Sequence, residues 1–314
     1  MKQQIIDLWK LSFGDTDDFI QLYFDQVYKE ENTLVIKKDG RIVSALQILP
    51  YELTYCGTTI PAGYLFGVCT LPAERGKGFM NQLMFMALEE MRNRNYALAM
   101  LIPASPRLFD YYRRFQFANA FDYSTEEMDR INPANHPANN PDSGLRILSQ
   151  DKLPPDTIYA YYHLKQRARD CSVQHSACQF ETIRRDWMSG KGEIWMVFKN
   201  EQPAGLAFTM SSDREGVLVR EIMYENAEIK NALVQSVLNH HQLPKAILRV
   251  PPTPSHSIPY GMARIISKEQ MVEPYCLLHK HPPLPDFINT DIPALTRFLL
   301  NYEQRQAFMN LMMD

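Results

Sequence analysis

What this chain lacks narrows what it can be. It has no surplus of positive charge: 33 Lys and Arg stand against 36 Asp and Glu, a net charge of -3. That argues against a nucleic-acid partner, because such proteins usually carry a basic excess. It has no N-terminal apolar leader, since Asp7 and Lys10 interrupt MKQQIIDLWK, and no apolar run approaches the length needed to span a membrane. Neither a signal peptide nor a membrane association is expected. Cysteine is scarce: Cys56, Cys69, Cys171, Cys178 and Cys276 are odd in number and scattered. Reduced thiols in a cytoplasmic protein account for them most simply. What is present is ordinary, with 45% hydrophobic and 22% charged residues in 314, enough for two domains or one large one.

Periodicity divides the chain. Asp15 to Tyr28 carries a helical stripe behind an acidic first turn, and residues 32–63 read as strands joined by turns at Lys38-Asp39-Gly40 and Tyr55-Cys56-Gly57. A strand over Tyr64–Thr70 leads to a helix with Met80, Leu83, Met84, Ala87, Leu88 and Met91 on one face. A short strand, Ala97–Ile102, and a helix, Pro106–Phe115, follow. The pattern predicts a mixed α/β fold with one layered core over residues 1–130. Residues 131–145, rich in Pro, Asn and Ser, read as a linker. In a second unit, 146–270, the strand-strand-strand-helix-strand order returns, with strands at Glu193–Lys199, Gln202–Ser211 and Gly216–Tyr224, a helix over Ala227–His240 and a strand at Ala246–Val250. A C-terminal segment, 271–314, is expected to hold an amphipathic helix over Ile292–Met312.

The stretch Arg75-Gly76-Lys77-Gly78, between an apolar strand and a helix, is the chemical signal. A helix start leaves N–H groups unpaired and carries partial positive charge, so it attracts phosphate. Gly76 and Gly78 let the backbone close on an anion, and Arg75 and Lys77 add charge. Two common phosphate motifs are missing parts. A Walker A loop needs Ser or Thr after Gly-Lys, where Gly78 stands, and a dinucleotide fingerprint needs a third glycine where Asn81 stands. The bland reading is a solvated helix N-terminus.

The run Val68-Cys69-Thr70-Leu71-Pro72-Ala73-Glu74-Arg75-Gly76-Lys77-Gly78 resembles the pyrophosphate-binding signature of the GNAT superfamily of N-acetyltransferases. Val68, Thr70, Pro72, Arg75, Gly76 and Gly78 match position by position. Downstream, Tyr112 and Phe117 fit the family's next signature, with Gln116 in place of a glycine and Ala104-Ser105 where many members carry asparagine. Ile-Pro-Ala-Ser before a tyrosine-rich helix is most similar to the enhanced-intracellular-survival (Eis) branch. The resemblance implies tandem GNAT folds with an acyl-CoA N-acyltransferase-like mixed sheet, the second copy degenerate because Tyr224-Glu225-Asn226 replaces the phosphate turn. It implies that 271–314 is a remnant of a sterol-carrier-like domain.

The same resemblance implies acetyl-CoA as co-substrate, with no metal, and an amine acceptor on a small molecule or a lysine-containing peptide. Cofactor contacts are expected from Val68, Cys69, Thr70, Arg75, Gly76, Lys77, Gly78, Phe79, Met80 and Ser105. The pantetheine arm would pair with β-strand backbone around Val68 and Thr70, and a local bulge would aim an N–H at the acetyl carbonyl. Tyr112 is the implied general acid, with Tyr111 its rival by one residue; adjacent helix positions face about 100° apart, so both are not expected at the sulfur. Leu65–Thr70 offers no Glu, Asp or His as base. Relayed water is the default, and the branch's use of the terminal carboxylate would place Asp314 in the site. A homo-oligomer is compatible with all of this.

Other features have plainer readings. Cys171-Ser-Val-Gln-His175-Ser-Ala-Cys178 lacks the second cluster of a zinc site, and His240-His241 and His279-Lys280-His281 read as surface or helix-end residues. Cys69 reads as a buried small side chain. Arg107, Arg113 and Arg114 could meet a cofactor phosphate or only solvent. Asp15, Asp17, Asp18 and Asp25 could draw in a cationic acceptor, or simply stabilise a helix start. Two other function classes stay open: an acyl-CoA-binding sensor without turnover, and a nucleotide hydrolase, which lacks the Ser/Thr for magnesium.

Overall fold

The computed structural model describes residues 1–131, 144–212, 216–253, 255–280, 287 and 289–313. Two of the sequence expectations fall elsewhere: most of the linker and Asp314 lie outside the described residues.

The chain opens with α1 (Lys2–Ser12) and α2 (Asp17–Gln26). The sequence reading has no helix before Asp15, yet Ile5, Leu8 and Trp9 lie on one face of α1 and are buried. Thr16 caps α2, accepting from the Phe19 N–H, so the expected helix over Asp15–Tyr28 starts two residues later. Three of the acids in and before it are partnered from α1: Asp15 by the Trp9 indole, Asp17 by Lys10 and, near the helix end, Asp25 by Lys2.

Three antiparallel strands follow, β1 (Thr33–Lys38), β2 (Arg41–Tyr55) and β3 (Thr58–Thr70). Their two-residue turns, Asp39-Gly40 and Cys56-Gly57, hold all four residues at positive φ, the geometry that matches strand twist. Helix α3 (Phe79–Asn93) then crosses to β4 (Leu98–Leu101), which runs parallel to β3. Helix α4 (Pro106–Arg113) and β5 (Ala118–Asp129) complete this run. Gln116, where the resemblance expects glycine, has φ of 61°. The left-handed turn that favours glycine is kept, and a glutamine adopts it.

The later elements repeat the order. After β6 (Leu145–Ser149), α5 (Pro155–Arg167), β7 (Val173–Gln174) and α6 (Ala177–Ser189) come the antiparallel strands β8 (Glu193–Lys199), β9 (Gln202–Ser212) and β10 (Gly216–Tyr224). Helix α7 (Ala227–His241) leads to β11 (Lys245–Val250), parallel to β10. Then β12 (Ile258–Ile265), α8 (Lys268–His279) and α9 (Ile292–Leu299) close the chain.

The halves are not strung end to end. One mixed sheet runs β1-β2-β3-β4-β12-β5-β11-β10-β9-β8-β6, with β7 paired to β2. Strand β12, late in the sequence, is inserted between β4 and β5. Strand β5 pairs with β12 through Ala118–Tyr123 and with β11 through Ser124–Asp129. One hydrophobic cluster joins α1 and α2 of the first half to α5 and α6 of the second. Smaller clusters lie under α3 and α4, and under α7.

The expected helix over Ile292–Met312 is corrected. It stops at Leu299, because Asn301 and Arg305 take the left-handed conformation. Ala307–Met313 is buried on every side and runs between the halves, with Phe308 bridging Cys171 and Val173 through its backbone. A run buried all round has no amphipathic period to follow. Among the described residues no helix is long and apolar enough to cross a membrane.

Candidate active site

The parallel pairing of β3 with β4 is short, Ala62–Tyr64 with Leu98–Met100. Strand β3 runs on to Thr70 while β4 ends at Leu101, so the two diverge and leave a wedge. Within this stretch β3 is bulged. Phe66 pairs with Gln47 and Cys69 with Ala45, so Gly67 and Val68 together face Leu46. Gly67 has φ of 59°, and a Cβ there would lie 2.4 Å from the Trp9 ring. Trp9 of α1 is seated on the bulge and holds it.

A cleft of about 730 Å³ opens from the wedge to the start of α3. Val68, Cys69, Thr70, Arg75, Gly76, Gly78, Phe79, Met80 and Tyr112 line it, among the residues singled out by sequence. Lys77 and Ser105 are not part of the lining: the Lys77 ammonium pairs with Glu74 at 3.0 Å, and Ser105 is exposed ahead of α4. Ser12, Phe13, Glu74, Asn81, Leu108, Tyr111 and Arg114 also line the cleft. Asn81 and Leu108 lie one turn from Gly78 and Tyr112, so helical spacing could have found them. Ser12 and Phe13 arrive by tertiary packing and carry no local signal.

The start of α3 suits an anion. Gly76 and Gly78 have φ of 77° and 85°, and a Cβ on either would meet no atom within 4 Å. Glycine is therefore required by conformation there, not by crowding. No side chain caps the helix and its first turn holds no acid, so its N–H groups face the cleft unmatched. Arg75 lies beside it, its Nε donating to the Thr70 carbonyl at 3.3 Å. Glu74 is the exception in sign; hydrogen bonds from Lys77 and Lys38 hold its carboxyl below the usual range.

The start of α7 shows the opposite design. Asn226 caps it, its side chain accepting from Ile229 N–H at 3.1 Å, and Glu228 occupies the first turn. The same place in the second half has already satisfied its donor and would repel an anion.

Both tyrosines of α4 reach the cleft. Their rings touch at 5.3 Å between centroids, and the Tyr111 hydroxyl donates to Asn81 Oδ1 at 3.0 Å. Tyr112 is buried against Phe117, and burial pushes its phenol well above the ordinary value. Burial also pushes Cys69 up to about 12, so this thiol is no nucleophile near neutral pH. The end of α4 is fixed by the inserted strand: buried Arg264 of β12 donates through Nη1 to the Phe115 carbonyl at 2.6 Å.

Residues 2–120 match the family model described as the acetyltransferase (GNAT) domain. Over this span the chain is similar to a GNAT domain. No curated protein matches the chain in sequence. Among solved structures it shares its fold with a conserved protein of unknown function from Enterococcus faecalis V583, at TM-score 0.70 and 14% identity over 87% of this chain and 72% of that one. Eis1 from Mycobacterium abscessus aligns at TM-score 0.64 and 14% identity, covering 86% and 72%. A GCN5-related N-acetyltransferase from Anabaena variabilis aligns at 0.64 and 17%, with the same coverage. These likenesses cover most of the chain, well beyond residues 2–120, and show a shared fold.

Proposed function

We propose that the chain is an acyl-CoA-dependent N-acyltransferase, with acetyl-CoA as donor and a primary amine as acceptor. The observation that carries this reading is the uncapped, glycine-opened start of α3 at one end of a cleft whose other end is the bulged, unpaired edge of β3. A diphosphate suits the first feature and an extended pantetheine arm the second.

The reaction joins the amine nitrogen to the thioester carbonyl carbon, breaks the C–S bond and yields an amide and coenzyme A thiol. The amine must first lose a proton; with a pKa of ~10.4 this costs ~4–5 kcal/mol at about pH 7. Holding both reactants in one cleft supplies much of the rate. Tyr112 is the donor to the departing sulfur. Burial keeps its phenol protonated throughout the neutral range. A thiol of pKa ~8.5 is the stronger acid, so Tyr112 stabilises the sulfur by a hydrogen bond and water completes the proton transfer. Tyr111, tied to Asn81, is less free to serve.

Thiol release from acetyl-CoA across polyamines, aminoglycosides and lysine peptides tests the reading. Tyr112→Phe is expected to lower turnover at least tenfold while leaving acetyl-CoA affinity within about twofold. Binding without turnover on any acceptor would favour an acyl-CoA sensor, and no binding would remove both.

A further inference from the structure

The residues His240 and His241, set aside in the sequence as helix-end histidines, do not stand alone in the fold. Helix α7 ends at His241, and its last turn lies beside the first residue of β8, Glu193. His241 Nε2 is 2.9 Å from Glu193 Oε2, and one ligand atom from each of Glu193, His240 and His241 lies within 4.8 Å of the others. We propose that these three side chains bind a divalent transition metal of the zinc class.

Three features make this more than a surface ion pair. The donor set is two imidazoles and a carboxylate, the mixture that suits Zn²⁺ and its borderline neighbours and not the all-oxygen preference of Mg²⁺ or Ca²⁺. The site is braced from outside. Trp195 Nε1 donates to Glu193 Oε2 at 2.8 Å while its ring packs against His240, centroids 5.1 Å apart, so one indole steadies two of the three ligands. Such outer contacts are what orient metal ligands. Finally, the ligating turn is the C-terminal end of a fifteen-residue helix, where the partial negative charge of the last carbonyls favours a cation.

Ligands around tetrahedral Zn²⁺ stand roughly 3.4 Å apart when each bond is about 2.1 Å. The His241–Glu193 pair is already inside that separation at 2.9 Å, and the three ligand atoms, all within 4.8 Å of one another, have only a short distance left to close. On binding, His241 Nε2 gives its lone pair to the metal. Any proton it now shares with Glu193 passes to Nδ1 or to solvent. Three protein ligands leave at least one position for water. None of the three residues lines the cofactor cleft, so the metal is separate from acyl transfer.

Full-length, tag-free protein is titrated with Zn²⁺ by calorimetry and with Co²⁺ by visible absorption, in buffer without chelators. One equivalent is expected to bind with a dissociation constant below about 10 µM, and Co²⁺ should show d–d bands of four- or five-coordination. His240→Ala, an exposed position, and Glu193→Gln should each weaken binding at least tenfold. Thermal midpoints serve as a folding control, and acetyl-CoA binding should not change. Binding of undiminished affinity in both variants, or no saturable binding below about 100 µM in the parent, would overturn the proposal. Neither result touches the acyltransferase reading, which is measured by thiol release.

Discussion

Gly67 meets two demands at once: a left-handed backbone at the bulge and room for the Trp9 ring. Gly67→Ala would violate both, adding about 1–2 kcal/mol of backbone strain and about 1–3 kcal/mol of overpacking. The urea midpoint should fall accordingly, and acetyl-CoA affinity should fall with it because the bulge forms the cleft wall. His175 makes a different residue-scale argument. Burial holds its imidazole down to about 3, partly offset by the Leu311 backbone, while its ring accepts or donates with Tyr162 at 2.8 Å. An unfolded histidine titrates near ~6.5. Between that value and about 3 the unfolded chain binds a proton that the native chain refuses, so stability rises with pH and is lost as pH falls. By pH 5 the loss from this group is about 2 kcal/mol. His175→Gln should therefore show a smaller fall in denaturation midpoint between pH 7 and pH 5 than the parent.

At the scale of elements, the starts of α3 and α7 differ: Asn226 caps α7, while no side chain caps α3 and its first turn holds no acid. Asn226→Ala removes a cap and should cost about 1 kcal/mol by chemical denaturation. Acetyl-CoA affinity should be unaffected, since α7 takes no part in the cleft. Element-level structure was also what the sequence made most legible. The turns at Asp39-Gly40 and Cys56-Gly57, the strand into Thr70 and the stripe of α3 all follow from local chemistry. Thr70, Gly76 and Gly78 are marked by the motif itself. Ser12 and Phe13 are not, because their place depends on how α1 packs. The buried run Ala307–Met313 departs from the expected amphipathic helix for a related reason: its apolar residues answer to two facing halves, and their helical spacing is incidental. Asn310 within that run bonds Gln166 and Glu221, residues far apart in sequence, so its role could not be anticipated locally. Glu193 likewise lies 48 residues from His241.

At the scale of the molecule, the insertion of β12 between β4 and β5 decides what can fold alone. A fragment of residues 1–130 would leave one edge of β4 bare and deprive β5 of both its neighbours. It should lack a cooperative unfolding transition by circular dichroism and should fail to bind acetyl-CoA. Adding a peptide spanning residues 255–267 is the corresponding rescue, because it restores the missing strand and the Arg264 contact to α4. A fragment that melts cooperatively without help would show that the inserted strand is dispensable.

The late arrival of β12 has a consequence for synthesis. A ribosome delivers the first half's own residues first, but the strand that fills its gap follows only after everything from β6 to β11 has been translated. Until Ile265 clears the exit tunnel, the nascent chain holds an unfinished sheet with a ready edge, so the interval is one in which chaperones and wrong strands compete for the same vacancy.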